Sequence, residues 1–179
     1  SSRPVKIVQP APPTFPRYHY LYPAKPQSGN RAAATGEFTR AREFEQRRRW
    51  VDAMQAYHQA AEFDPSWFEA QYNSAVLAYR LGNFDTALAA YEMALAIQPD
   101  SEDARYNFAL TLKTAGYALD AENEWKKLLA AHPDEVRVHL ALANLYAQQF
   151  HEPTRARLEY LKVLQLDPRN PQAPDIQFW

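Results

Sequence analysis

Residues 84–99 read FDTALAAYEMALAIQP, and residues 118–133 read ALDAENEWKKLLAAHP. Each string sets an alanine, an aromatic ring, a further apolar residue and a closing proline at fixed offsets: Ala87, Tyr91, Ala94 and Pro99, then Ala121, Trp125, Leu128 and Pro133. The same four positions recur upstream as Ala53, Tyr57, Ala60 and Pro65, and downstream as Ala156, Tyr160, Val163 and Pro168. The prolines stand 34, 34 and 35 residues apart, and Ala41, Ala75, Ala109 and Ala143 keep a spacing of 34 throughout. Gly82 and Gly116 are also 34 apart. Columns that stay in step over four copies mark an internal repeat, and they decide the architecture before any local assignment.

Each unit reads as two helices. In the first half, Tyr72, Ala75, Val76 and Tyr79, or Tyr106, Ala109, Leu110 and Leu112, fall at helical spacing. Leu81-Gly82-Asn83 and Ala115-Gly116-Tyr117 follow as turns in which glycine permits a positive φ at a helix C-terminus. In the second half Ala87, Leu88, Tyr91, Ala94 and Leu95 share one stripe, and the closing proline cannot continue the helix. Small alanines let helix axes approach, and the aromatic column fills the space between neighbouring hairpins. One hairpin cannot bury its apolar face alone, so the units must stack into a continuous core.

Working outward, the 179 residues hold 20 basic and 21 acidic side chains, fourteen prolines, four glycines and no cysteine. The composition is that of a globular chain. Absent cysteine removes disulfides, thiolate metal sites and cysteine nucleophiles, and scarce glycine leaves little room for phosphate-cradling loops. The net charge of −1 conceals an asymmetry. Residues 1–36 carry Arg3, Lys6, Arg17, Lys25 and Arg31 with no acid, so the remainder is net −6. No apolar run reaches the length of a membrane span. The chain opens on Ser1, which leaves an upstream anchor or export signal as an expectation; the compartment, cytoplasmic or periplasmic, stays open.

The repeat columns resemble the tetratricopeptide repeat family, whose second helices show the pattern Ala-x3-Tyr/Trp-x2-Ala/Leu/Val-x4-Pro found here. The resemblance covers about residues 34–168, in units 34–67, 68–101, 102–135 and 136–168, with a tail at 1–33 and a capping segment at 169–179. It implies an all-α fold, a right-handed superhelical α-solenoid of four helix-turn-helix units preceded by an extended Pro-rich tail. First helices depart from the family. Where it favours Trp, this chain has Glu37, Gln71, Arg105 and His139; where it favours Leu, Arg40, Ser74, Phe108 and Leu142. The first turn has Arg47-Arg48-Arg49 in place of glycine, and the fourth is one residue longer, with Pro153 suited to begin a helix.

The resemblance also implies a protein-interaction scaffold that binds along the wall of first helices. The wall would present Phe38, Arg42, Tyr72, Asn73, Val76, Tyr79, Arg80, Tyr106, Asn107, Leu110, Lys113, Leu140, Asn144 and Gln148. Asn73 and Asn107 follow Tyr72 and Tyr106 in equivalent places, and an amide can hold a peptide backbone without reading its side chains. The alternative is that the tyrosines pack between helices and the asparagines face solvent. The family's carboxylate-clamping pattern of Lys and Asn is not matched, since Tyr72 with Val76 and Tyr106 with Leu110 occupy those places; apolar or aromatic ligand anchors fit better. The arginines 40, 42 and 47–49 read as partners of Glu43, Glu45 and Asp52 and not as a nucleic-acid surface. The five histidines lack ligand spacing, so no metal or other cofactor and no catalytic constellation is expected.

In the tail, Phe15, Tyr18, Tyr20 and Tyr22 sit among Pro12, Pro13, Pro16 and Pro23. Proline pre-extends the chain and tyrosines supply anchoring area. Opposite charge points to docking on the repeats, in cis or in trans, over or beyond the groove; a mobile tether is the competing reading. At the far end Asp175 is a candidate N-cap, and Ile176, Phe178 and Trp179 either cover the stack or mark an interface. Three functions are open: a non-catalytic scaffold for a protein or peptide, a structural subunit self-associating through its tail, and a regulatory module of a larger or anchored protein. Neither nucleic acid nor membrane insertion is expected of this segment.

Overall fold

The computed structural model describes residues 11–176. Four helical hairpins follow one another: α1 (Arg31–Gln46) with α2 (Trp50–Phe63), α3 (Phe68–Arg80) with α4 (Phe84–Ile97), α5 (Glu102–Thr114) with α6 (Ala118–Ala131), and α7 (Val136–Leu145) with α8 (Pro153–Leu166). A short turn of helix, α9 (Ala173–Ile176), closes the described chain. The hairpins stack in sequence order as a right-handed α-solenoid, each first helix resting on the second helix before it. There is no strand among the described residues.

The repeat columns form the core. Ala53, Ala87, Ala121 and Ala156 are fully buried, as are Ala41, Ala75, Ala109 and Ala143. The aromatic column Tyr57, Tyr91, Trp125 and Tyr160 lies between hairpins, nowhere more than 6% exposed. Repeats two to four share one continuous cluster around Leu88, Phe108, Leu112 and Leu142. The first hairpin adds a cluster around Tyr57, reached by Leu77 of α3.

The positions where the family favours Trp do something different here. Gln71 Nε2 donates to the Pro65 carbonyl at 3.3 Å, Arg105 Nη2 to Pro99 at 2.9 Å, and a His139 ring nitrogen to Pro133 at 2.7 Å. Each polar side chain thus ties a first helix to the proline turn that precedes it, meeting a carbonyl that the missing helix would have satisfied.

The hairpin turns keep one conformation with different residues. Gly82 and Gly116 have φ of 77° and 97°; the equivalent residues of the outer units, Arg48 and His151, have φ of 56° and 54°. In the fourth unit, the additional residue is absorbed by a π-helical turn at Tyr146–Phe150 before Pro153 starts α8. Left-handed backbone is unfavourable for non-glycine residues. Arg48→Gly and His151→Gly are each expected to stabilise the chain by about 0.5–1 kcal/mol, read from the urea midpoint at constant m.

Two boundaries differ from the sequence expectation. Helix α1 begins at Arg31, ahead of Ala34, because the Asn30 side chain accepts from Ala33 N and caps it. At the other end Asp175 lies inside α9 and does not cap it; the chain turns earlier, where Ala173 N donates to the Asn170 carbonyl and Gln172 N to the Asn170 side chain. Ile176 is buried and joins the main cluster, while Phe178 and Trp179 lie outside the described residues.

Candidate peptide-binding surfaces

Two surfaces carry the side chains singled out from sequence. The first is the wall of α1, α3, α5 and α7. Many of its residues already have partners. Phe38 stacks on Trp67 at 4.4 Å, Tyr72 stacks on Phe68 at 5.6 Å, and Tyr106 packs on Trp125 with Arg137 across its other side at 4.7 Å. The Arg80 guanidinium covers Trp50 at 3.8 Å. Asn107 Nδ2 donates to Tyr72 Oη at 2.8 Å, Asn73 contacts the Tyr57 phenol, and Asn144 accepts from Tyr160 Oη at 2.6 Å. Each amide keeps donor or acceptor capacity beyond these contacts. Tyr79 reaches Thr114 at 3.3 Å across neighbouring repeats.

Between these pairs the wall keeps apolar and cationic groups. Val76 is 36% exposed; Leu110 and Leu140 are half-buried at the core margin. The half-buried Lys113 side chain has no ion-pair or hydrogen-bond partner among the described residues, and burial pulls its ammonium below the ordinary lysine range. Arg42 and Gln148 stand exposed at the two ends.

The second surface holds the tail, and its carboxylates stand on second helices. Asp120 of α6 receives Arg17 Nη2 at 2.8 Å, Arg17 Nε at 3.2 Å and Tyr18 N at 2.8 Å. Glu92 of α4 receives Tyr18 Oη at 2.7 Å, Leu21 N at 2.9 Å and Tyr22 N at 3.2 Å. Glu124 of α6 receives Tyr20 Oη at 3.0 Å, besides Arg105 and Lys127. The tyrosine rings stand edge-on over Phe108 of α5, at 6.1 and 5.9 Å, and Tyr18 also meets Tyr117 at 5.4 Å. Phe15 packs against Phe150, which the π-helical turn presents. Tyr22 is largely exposed and stacks on Tyr20.

The tail therefore runs backward along the stack, from the fourth repeat at Phe150 to the first at Asp64. There Gly29 N donates to Asp64 Oδ1 at 3.0 Å, beside Ser66, and Arg31 pairs with its other oxygen. Among the described residues, no tail hydrogen bond reaches Val76, Leu110 or Lys113. The seat escaped the sequence reading because its carboxylates look like solvent positions on alanine-rich helices. The sequence hint was Phe108 alone, aromatic where the equivalent positions hold Arg40, Ser74 and Leu142.

Burial alone would raise the Asp120 carboxyl, but the Arg17 guanidinium and the Tyr18 N–H outweigh it and hold it below the usual carboxylate range. Asp64 is held lower still, burial again being outweighed by Gly29, Ser66 and Arg31. Carboxyls depressed in the folded state contribute stability that is complete above their unfolded value, about pH 4, and lost as pH falls through the folded value. The tail is thus expected to stay seated at neutral pH and loosen in acid below about pH 4. Amide exchange at Tyr18 followed against pH checks this, and Asp120→Asn should weaken the acid dependence at that amide, leaving the part that Glu92 carries.

The Arg cluster is divided. Arg49 pairs with Asp52 at 2.8 Å and covers Phe44, Arg40 pairs with Glu37, and Glu45 is taken by the Tyr57 hydroxyl. Among the described residues there is no group of three or more potential metal ligands, and no helix is long and apolar enough to cross a membrane.

Stacked helical hairpins with a 34-residue period define a helical-repeat protein. Two family models described as tetratricopeptide repeat match residues 68–101 and 106–174, together more than half the chain. The chain belongs to the tetratricopeptide repeat family. Among solved structures it is similar to YrrB, described as a TPR protein with an unusual peptide-binding site, at 16% identity with a TM-score of 0.74 over 83% of this chain and 76% of that one. It is likewise similar to a tetratricopeptide repeat protein from Parabacteroides merdae, at 19% identity with a TM-score of 0.74, covering 82% and 58%. A third is MamA from Desulfovibrio magneticus, at 19% identity with a TM-score of 0.66, covering 76% of both chains. At these identities the likeness shows the fold. No curated protein matches the sequence.

Proposed function

We propose that this chain is a non-catalytic scaffold that holds an extended peptide or protein segment against its first-helix wall. Tetratricopeptide repeats serve generally as protein-interaction modules. The observation that supports a peptide on this wall is the unpaired, half-buried Lys113 beside the exposed Val76 and the half-buried Leu110 and Tyr79. A cation kept from water without a partner favours a ligand that brings a carbonyl or carboxylate oxygen, and the apolar neighbours favour aliphatic or aromatic anchors. The free sides of Asn73 and Asn107 suit the peptide backbone between anchors.

Selection from a random peptide display library on the whole chain tests this. Enriched sequences should carry apolar or aromatic anchors, and Val76→Arg should weaken a selected peptide about tenfold or more, as should Lys113→Ala. Equal affinity in both variants would contradict the wall.

The tail supports an intramolecular role over self-association. Phe15, Tyr18, Tyr20 and Tyr22 all find partners within one chain. A concentration-independent monomer in light scattering is the expected result.

A further inference from the structure

The seated tail turns two large side chains outward. Leu21 is 62% exposed and Tyr22 80%, the most exposed large hydrophobic side chain among the described residues. Tyr22 also has φ of 47°, a left-handed backbone that disfavours a bulky residue. The following Pro23 does not favour it, since a proline pushes the residue before it toward extended chain. Unlike Arg48 and His151, Tyr22 closes no turn between helices. Glu92 holds the conformation: its carboxylate accepts from the Leu21 and Tyr22 N–H groups at 2.9 and 3.2 Å, and the Tyr22 ring lies on Tyr20. Backbone strain of this kind clusters where a protein meets a ligand.

Beside the pair lies a hollow of about 190 Å³, bordered by Tyr22, Pro23, Leu95, Ala96, Phe108 and Lys127. It has room for one aliphatic or aromatic side chain. The two carboxylates that also border it are taken, Glu92 by the tail and Glu124 by Tyr20, Arg105 and Lys127. The tail around it is basic: residues 11–30 hold Arg17, His19 and Lys25 and no acid. Arg17 belongs to Asp120, whereas Lys25 is exposed and has no ion pair or hydrogen bond among the described residues.

We propose that Leu21, Tyr22 and the hollow beside them form a docking site for an acidic segment of a partner protein that carries an apolar anchor. The anchor enters the hollow against Leu95 and Phe108, and an acidic neighbour meets Lys25. Charge selects this occupant. A second copy's tail is itself basic, and an anionic bilayer is repelled by a body of net −6. None of these residues belongs to the first-helix wall, so the two sites stand or fall separately.

A subtractive selection tests this. A random peptide display library is passed over the Leu21→Ser/Tyr22→Ser chain, whose wall is intact, and the remainder is selected on the unaltered chain. Enriched peptides should set Asp or Glu beside an apolar residue, and should shift the Leu21, Tyr22, Leu95 and Lys127 amides while leaving Val76 and Lys113 unmoved. Leu21→Ser alone, which keeps the Tyr20–Tyr22 stack and the seated tail, should weaken such a peptide about tenfold or more, and Lys25→Glu several-fold. Tyr18 should stay protected from exchange in both variants. No peptide surviving the subtraction, basic or neutral residues beside the anchor, or shifts centred elsewhere would each overturn the proposal. So would phosphatidylserine vesicles that bind the unaltered chain and not the double variant.

Discussion

Trp125→Ala is expected to lower the free energy of unfolding by about 3–5 kcal/mol, measured from urea denaturation at constant slope. Trp125 is the largest fully buried side chain, packed between the third and fourth hairpins and against Tyr106. Its removal opens a cavity at the contact that makes two repeats one core, and solenoid stability is largely a sum of such contacts. A loss of this size is a large fraction of the total of an ordinary domain, about 5–15 kcal/mol. Trp125→Phe separates packing from polarity. The indole Nε1 has no hydrogen-bond partner among the described residues, so phenylalanine loses volume but also removes a buried orphan donor, whose burial costs about 1–3 kcal/mol. The phenylalanine variant should therefore lose about 1.5 kcal/mol or less, and a loss equal to alanine's would show that the indole nitrogen is satisfied.

The second large effect concerns the tail. In Glu92→Ala/Asp120→Ala the acceptors of the Tyr18, Leu21 and Tyr22 N–H groups and of Arg17 all disappear. Hydrogen bonds to charged acceptors contribute about 1.5–3 kcal/mol each, so losing several should raise the open fraction of the tail at least about a hundredfold. Trypsin cleavage after Arg17 reports this directly, accelerating by a similar factor where opening is fast. The hairpins should stay folded, because their core columns do not include these carboxylates. Unchanged cleavage would mean that the aromatic contacts to Phe108, Tyr117 and Phe150 hold the segment without the acids.

The sequence made the architecture legible because it repeats. Ala87, Tyr91 and Pro99 recur with the residues that their packing requires, and a periodic core needs no long-range information to be recognised. The wall was only half legible. Tyr72 and Asn107 fall on the right helices, yet only the stacked geometry shows that they bond to each other and that Arg80 belongs to Trp50. Aromatic and proline spacing marked Phe15, Tyr18 and Tyr20 as anchors. Their receptors were hidden, since Glu92, Asp120 and Glu124 become buried only when two hairpins and the tail come together.

A wall peptide obtained by selection on the whole chain, titrated into the isotope-labelled chain, tests the two-face arrangement most directly. The account predicts saturable shifts at Val76, Leu110 and Lys113, with the Tyr18, Leu21 and Tyr22 amides unmoved and still protected from exchange. Shifts concentrated at the tail and at Phe108 and Asp120, with protection of Tyr18 lost as peptide binds, would show that partners compete for the tail's seat and would contradict it.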